Sequence, residues 1–406
     1  MEPKAARELA KFIRNDLEKK AFVIKNNFFD QEKFHEAVFR AFLHWASIAR
    51  SDEDGELRVR VEADSPGLTH LVYEDEVAFR FLPTPNDHSF HDYERRIMAM
   101  TGGRRFQVVI SDLQAWDVEL WDMISDFLAE FYRHTGMLSG KIQPGLFIGN
   151  YPYTPLGVHW DGDPVLTLML VGSKTMRAWP KKLWEQIHGP RPELNYSTFN
   201  DRAFCVTGNE GDWIHCPSDF YHVFETDGLG VNFSLSFGGL ATLQTPHKKA
   251  VELMSESWEV GAEDLLQDSK VNQSTGKAQP PRRLMTLAKK MSSAIPKNNT
   301  DPSPLIDWTK RAGSFSLNAP LRSKRVSGVN RLVVSRPGGF FHWKRLGSMV
   351  ILAANGHVRT FKLSNVVDKS LRALVSGQSV DPRKIGGQLV STWLLECGAV
   401  ILAGNK

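Results

Sequence analysis

The feature that most constrains the fold of this 406-residue chain lies between Ile142 and Phe237. Short apolar runs follow one another there at close spacing, cut by glycine, proline and aspartate turns. The runs are Gly145-Leu-Phe-Ile148, Val158-His-Trp160, Val165 to Val171, Met176 to Trp179, Ala203 to Val206, Trp213-Ile-His215, His222-Val-Phe-Glu225 and Val231 to Phe237. Many short strands with turn residues between them predict an all-β sandwich or barrel in this region. A barrel mouth suits a buried metal with one open side.

Within that stretch, Leu156-Gly-Val-His-Trp-Asp-Gly-Asp163 places His159 and Asp161 two residues apart. On an extended strand both side chains point to the same face. One imidazole and one carboxylate cannot hold a divalent iron alone, so a second histidine must arrive from elsewhere. Gly211-Asp-Trp-Ile-His-Cys-Pro-Ser-Asp-Phe-Tyr-His222 offers two, His215 and His222. Two histidines and one carboxylate on one face, with the remaining positions open, form the facial triad of non-haem Fe(II) oxygenases.

The rest of the chain reads as several further parts. Residues 5–20 predict a helix with Leu9, Phe12, Ile13 and Leu17 on one face, followed by a short strand at 21–24. Asp30 is placed to cap a second helix carrying Phe34, Val38, Phe39 and Phe42. Residues 50–105 show no clear period; 106–110 predict a strand and 116–132 an amphipathic helix. Residues 246–266 read as helical, and 267–304 as a polar linker with one short helix near 284–291. Beyond it, strands at 331–334, 349–353 and 399–402 and helices at 366–375 and 381–395 (the latter broken by Gly386-Gly387) suit a small winged-helix domain.

Charge is unevenly distributed. Residues 301–406 hold 16 Lys and Arg against 5 Asp and Glu, whereas the whole chain is only +4. A basic C-terminal module predicts an acidic partner. Three scattered cysteines, Cys205, Cys216 and Cys397, make neither a disulfide framework nor a Cys-x-x-Cys zinc site, so a reducing cytoplasm is expected. No apolar run is long enough to cross a bilayer, and no signal-peptide pattern opens the chain.

Val158-His-Trp-Asp161, the spacing to His222, and Gly211-Asp-x-x-x-x-Pro217 before that histidine resemble the JmjC branch of cupin-type Fe(II)/2-oxoglutarate oxygenases. Lys174, which follows the turn glycine Gly172, stands where that family has a Lys or Arg for the far carboxylate of 2-oxoglutarate. A buried diacid needs such a partner, because an unpaired buried carboxylate is costly. The resemblance implies His159, Asp161 and His222 as iron ligands, Fe(II) as the metal, and 2-oxoglutarate and O2 as cosubstrates. Thr167 and Asn232 lie on strands that should face the cosubstrate, and Asn232 resembles an asparagine used beside the metal by some asparaginyl hydroxylases. Where other members carry an asparagine, this chain has Gly145. Asn150, Tyr153 and Thr154 are expected to line the mouth.

The implied fold class is α+β: a double-stranded β-helix (the JmjC/cupin barrel) with N-terminal helices, a helical linker region and a winged-helix-like C-terminal domain. The implied domains are 1–140 supporting the barrel, 141–245 the barrel with the metal site, 246–304 the helical region and linker, and 305–406 the basic domain. This order of parts resembles the ribosomal oxygenases and implies hydroxylation of an amino-acid side chain in a peptide or protein. A ribosomal protein or a ribosomally made precursor peptide is the expected substrate, and a homodimer the expected assembly. N-methyl demethylation, or binding of a peptide or nucleic acid by an idle barrel, are the alternatives.

Overall fold

The computed structural model describes residues 3–25, 28–48, 57–61, 71–73, 78–137, 141–238, 271–272, 277–278, 303–320, 333–335, 341–362, 364–385 and 388–403. These fall into two compact units, one drawn from Met1–Leu120 with Gly140–Gly239, the other from Trp121–Ser139 with Leu240–Lys406. The chain is mixed α and β, and every strand pairing among the described residues is antiparallel. No described helix is long and apolar enough to cross a membrane.

The first unit opens with α1 (Pro3–Asn15), β1 (Phe22–Ile24) and α2 (Gln31–Ile48). The first helix ends earlier than its apolar face suggested, and Glu18 takes a left-handed φ of 62° in the turn that follows. Asp30 caps α2, its carboxylate accepting from the Lys33 amide at 3.3 Å. Phe34, Val38, Phe42 and Trp45, at helical spacing, are all fully buried.

Next come β2 (Leu57–Val61), β3 (Leu71–Tyr73), α3 (Phe90–Met100), β4 (Phe106–Ser111) and α4 (Val118–Thr135). Sequence periodicity did not show α3. It is a short helix that buries only Phe90, Tyr93 and Ile97, and Ser89 starts it by accepting from the Asp92 amide.

The segment read as strand-rich contains β5 (Ile142–Gly149), β6 (Val165–Val171), β7 (Ser173–Pro180), β8 (Phe204–Asn209), β9 (Trp213–Cys216), β10 (Phe220–Thr226) and β11 (Gly230–Phe237), with the short helix α5 (Lys181–Ile187) after β7. They divide between an eight-stranded sheet, in the order β1-β9-β6-β11-β5-β4-β2-β3, and a three-stranded sheet, β10-β7-β8.

The alternation of β11 shows how the layers form. Phe233 meets Phe34 of α2, ring centroids 5.4 Å apart, so one face of the large sheet is covered by helix. Asn232, one residue earlier, points the other way and bonds Lys174 of the small sheet. Met169 and Ile214 of the large sheet pack with Met176, Ala178 and Phe220 of the small one, which closes the space between the sheets with apolar side chains.

In the second unit, α4 from Trp121 onward is anchored by side-chain bonds. The Trp121 indole donates to the Asn318 carbonyl at 3.0 Å, and the Tyr132 hydroxyl to that of Phe315 at 3.1 Å. A two-residue ladder joins β12 (Val271–Asn272) and β13 (Lys277–Ala278) inside the stretch read as linker. The expected helices at 246–266 and 284–291 lie outside the described residues.

After α6 (Ser303–Ala312) come β14 (Val333–Ser335), β15 (Phe341–Leu346), β16 (Met349–Ala354), β17 (His357–Lys362), α7 (Asn365–Val375), α8 (Gln388–Glu396) and β18 (Val400–Leu402). The strands β15 and β17 add a three-stranded meander that the sequence reading did not contain. Of the expected helix at 381–395, broken at Gly386-Gly387, the part after the break is α8, and the part before it is a 3-10 turn at Pro382–Lys384.

Candidate metal centre

The site is built on one reciprocal backbone pairing. The His159 amide donates to the His222 carbonyl at 3.0 Å, and the His222 amide to the His159 carbonyl at 2.8 Å. Directly opposed residues in an antiparallel pair send their side chains to the same side, and the two imidazoles stand 4.5 Å apart between centroids. His222 belongs to β10, whereas His159 lies in no regular strand. Its segment pairs with neighbouring backbone through isolated bridges, Val158 to Glu193 and His159 to His222. The chain then turns through Gly162, at φ +81°. Asp161 reaches back, one carboxylate oxygen 3.6 Å from His159 Nε2 and the other 3.5 Å from His222 Nε2. One ligand atom from each residue lies within 4.8 Å of the others, and no second such cluster occurs among the described residues.

The protonation states suit coordination. His159 Nδ1 lies 2.9 Å from the Gly157 carbonyl, which can only accept, so Nδ1 carries a hydrogen and the ring is turned with Nε2 towards Asp161. Burial, reinforced by neighbouring His159 and opposed by Asp161, lowers His222 to about 4, so its ring is neutral at pH 7. The separations of 3.5 and 3.6 Å are too long for good hydrogen bonds. Donors held about 2.1 Å from one shared ion stand about 3.0 Å apart at right angles and about 3.4 Å apart at tetrahedral angles. The separations here therefore leave room for an ion with only a small closing movement. Two imidazole nitrogens and a carboxylate oxygen converging on one point therefore fit a first-row divalent metal, Fe(II) among them.

Lys174 is the second part of the site. Inward-facing residues of β7 and β10 run Lys174, Met176, Ala178 and Thr226, Phe224, His222, with His222 opposite Ala178 and Thr226 opposite Lys174. Lys174 thus shares a face with His222, four residues further along, or about 13 Å of strand. Its side chain is 3% exposed. The ammonium donates to Tyr151 Oη at 2.7 Å and to Asn232 Oδ1, and the rings of Tyr151, Phe224 and Phe147 surround it at 5.1, 5.8 and 6.0 Å. Among the described residues, no carboxylate pairs with it. A buried cation held only by neutral acceptors is a place prepared for an anion.

Thr167 and Asn232 both lie on the inward face and belong to the same network. Ser234 Oγ is 2.9 Å from Thr167 Oγ1 and accepts from Asn232 Nδ2 at 3.1 Å. The Ser234 to Thr167 register of β11 on β6 makes the first of these bonds. Among the residues expected at the mouth, Asn150 turns away: it accepts from the Phe106 amide and faces Met98. Tyr153 packs on Tyr196, and Thr154 bonds the backbone of Phe224. Tyr151 and Ser234, not singled out in the sequence, join the network instead. At Gly145 an added Cβ would stand 3.1 Å from the Phe147 ring, so no larger residue is accommodated without movement.

His215 is in the core. Its Nδ1 donates to the Val165 carbonyl at 3.2 Å, its Nε2 accepts from the Glu18 amide at 3.4 Å, and Phe12 packs edge-on at 5.1 Å. Both ring nitrogens are taken. Burial lowers it to about 4, and it stands outside the cluster.

No protein-family model matches the sequence, and no curated protein matches it. Among solved structures, the chain is similar to the ribosomal oxygenase YcfD from Escherichia coli in complex with cobalt and succinic acid, with a TM-score of 0.49 and 14% identity over 97% of this chain and 98% of that chain. It is also similar to E. coli ycfD, with a TM-score of 0.47 and 16% identity over 96% and 97% of the two chains. A third is YcfD in complex with cobalt and 2-oxoglutarate, with a TM-score of 0.45 and 14% identity over 97% and 98%.

Proposed function

We propose that the protein is an Fe(II)- and 2-oxoglutarate-dependent oxygenase that hydroxylates an amino-acid side chain in a peptide or protein. One observation carries this reading. Ring nitrogens of His159 and His222 and the carboxylate of Asp161 converge on one point, on the same inward face as a buried lysine that has no carboxylate partner among the described residues. A metal at such a triad, with 2-oxoglutarate and O2, supplies oxidative attack on a C–H bond.

The side chains would divide the work. His159 and His222 offer Nε2 lone pairs, with the Gly157 carbonyl orienting the first ring. Asp161 supplies the charge that offsets the metal. Lys174 and Tyr151 bind the far carboxylate of the cosubstrate, while Asn232 and Thr167, joined through Ser234, orient the lysine from the opposite sheet. Phe224 lies between Lys174 and His222, its ring 5.6 Å from His222 and 5.8 Å from the Lys174 ammonium, and would exclude water from that span. The two facing sheets are read as a double-stranded β-helix. The basic unit beyond residue 305 is read as winged-helix-like, gripping an acidic surface of a ribosomal protein or precursor peptide.

Anaerobic titration of the protein with Fe(II) and 2-oxoglutarate tests the centre. A visible charge-transfer band is expected for the wild type and its loss in His159→Ala. A wild type without the band, or a band indifferent to His159→Ala, overturns the assignment. Mass spectrometry of candidate peptides for one added oxygen then separates hydroxylation from loss of a methyl group.

A further inference from the structure

Asp161 differs from its two neighbours in how it is held. His222 is fixed on a regular strand and His159 by paired backbone bonds and a ring bond to Gly157. The Asp161 carboxylate is 45% exposed and lies beyond the last bridge, and among the described residues its ion pairs are with the two imidazoles it faces. Something else must set where it stands.

The residue between the ligands supplies that constraint. Trp160 is 43% exposed, an unusual place for so large a ring, yet it is held on several sides. Its indole N–H donates to the Ser218 carbonyl at 2.6 Å, in the turn that leads into β10 and His222. The Lys181 ammonium sits over its ring, 3.3 Å from the centroid. The ring edge also backs onto Gly162, where an added Cβ would stand 3.6 Å from it. Both anchors are themselves tied down. The Ser218 amide donates to the Glu18 carboxylate at 3.2 Å, and the Lys181 amide to the Asp219 carbonyl at 2.9 Å.

We propose that Trp160 is the positioning residue for Asp161. The indole fixes the backbone on both sides of the carboxylate and ties that segment to the turn before His222, so the ligands keep their mutual spacing without a hydrogen bond to Asp161 itself. This rests on the metal-centre reading above. Groups that orient metal ligands are worth about ten- to a hundred-fold in metal affinity.

The test titrates metal-free full-length protein with Co(II) alone and follows the visible bands of the bound ion. Trp160→Ala is expected to weaken Co(II) binding about ten- to a hundred-fold. Trp160→Phe, which keeps the ring but loses the N–H, should fall between it and wild type. In an Asp161→Ala background the same Trp160→Ala change should alter affinity less than about threefold, because no carboxylate remains to be placed. Equal binding by wild type and Trp160→Ala overturns the proposal. So does an equal loss with and without Asp161, the mark of general loosening. Should Trp160→Ala fail to fold, Trp160→Phe carries the comparison, and unchanged affinity there overturns it. A wild type that takes up no Co(II) removes the metal centre itself, and the role of Trp160 with it.

Discussion

Replacing Lys174 with methionine should leave the empty protein almost unchanged and impair the cosubstrate-loaded one. In the empty protein Lys174 is 3% exposed, and its ammonium is satisfied by two neutral oxygens, Tyr151 Oη and Asn232 Oδ1. Burying such a charge costs several kcal/mol, and two hydrogen bonds from a charged donor return about 1.5–3 kcal/mol each. The two terms nearly cancel, so Lys174→Met, of similar volume, should change folding stability by no more than about 1–2 kcal/mol. With a diacid bound the balance differs. Removing one partner of a buried charge pair costs about 3–5 kcal/mol, and the lower figure alone is a loss in affinity of about 150-fold. Thermal unfolding of the Co(II)-loaded protein reads this directly. At 2-oxoglutarate a hundredfold above its Kd, wild type should gain about 2.7 kcal/mol, or about 5–10 °C for a unit of this size. At the same concentration Lys174→Met should gain about 0.3 kcal/mol, a shift of about 1 °C or less. An equal rise in both proteins refutes the role of Lys174. A loss of more than about 3 kcal/mol in the empty variant would show that the lysine is a structural element.

Other substitutions probe the surroundings. Tyr151→Phe removes an acceptor from Lys174; the KM for 2-oxoglutarate should rise about five- to thirtyfold, the equivalent of about 1–2 kcal/mol, with kcat little changed. Gly172 turns β6 into β7 at φ +72°, and an added Cβ would stand 2.2 Å from the Leu229 carbonyl oxygen. Gly172→Ala should therefore cost at least about 2 kcal/mol, read as a lower denaturation midpoint in urea. His215 is buried and neutral, near 4 in the folded protein against about 6.5 when unfolded. The unfolded chain binds more protons between those values, so the stabilisation is complete above about pH 6.5 and is lost as pH falls towards 4. The loss amounts to about 3 kcal/mol from this residue. Urea unfolding of wild type and His215→Gln at pH 7, 5.5 and 4 should show a shallower acid slope in the variant, and parallel slopes would contradict this.

The parts of the site that were legible in the sequence are those carried by local spacing. His159, Asp161 and Lys174 lie in one continuous stretch, and choosing between His215 and His222 needed only the family pattern. Tyr151 and Ser234 were missed for a physical reason. Ser234 enters the network because β11 pairs with β6 in the register that sets it against Thr167, and a slip of one residue would turn it to the helical face. Tyr151 follows the end of β5 in an irregular segment, where alternation no longer tells which of residues 150–154 turns inward. The fold shows the same limit. Helix α3 has only three buried residues to reveal its period, although the Ser89–Asp92 cap was there to be read. The strands β15 and β17 flank β16, the only member of that sheet with a continuous apolar run. The edges carry Lys344, Arg345, Arg359 and Lys362, so their pattern reads as polar loop.

His-x-Asp itself was legible for a partly incorrect reason. An extended strand would place both side chains on one face by alternation alone, and the metal-facing carboxylate would then be as well fixed as the histidines. The chain leaves the sheet after His159, with a single pair of backbone bonds to His222 and a left-handed glycine immediately beyond Asp161. Alternation therefore cannot set the carboxylate, whose 45% exposure shows how little the surrounding structure encloses it. A ligand placed by a loop can be tuned without disturbing the sheets, because its position depends on what the intervening residue grips. That residue is Trp160, and its grip ends on Ser218, in the turn leading to His222. The metal geometry should therefore be more sensitive to substitutions at residues 160, 181 and 218 than to equally exposed positions on β7 or β8, such as Thr175 and Thr207, whose hydroxyls bond only each other across the strands.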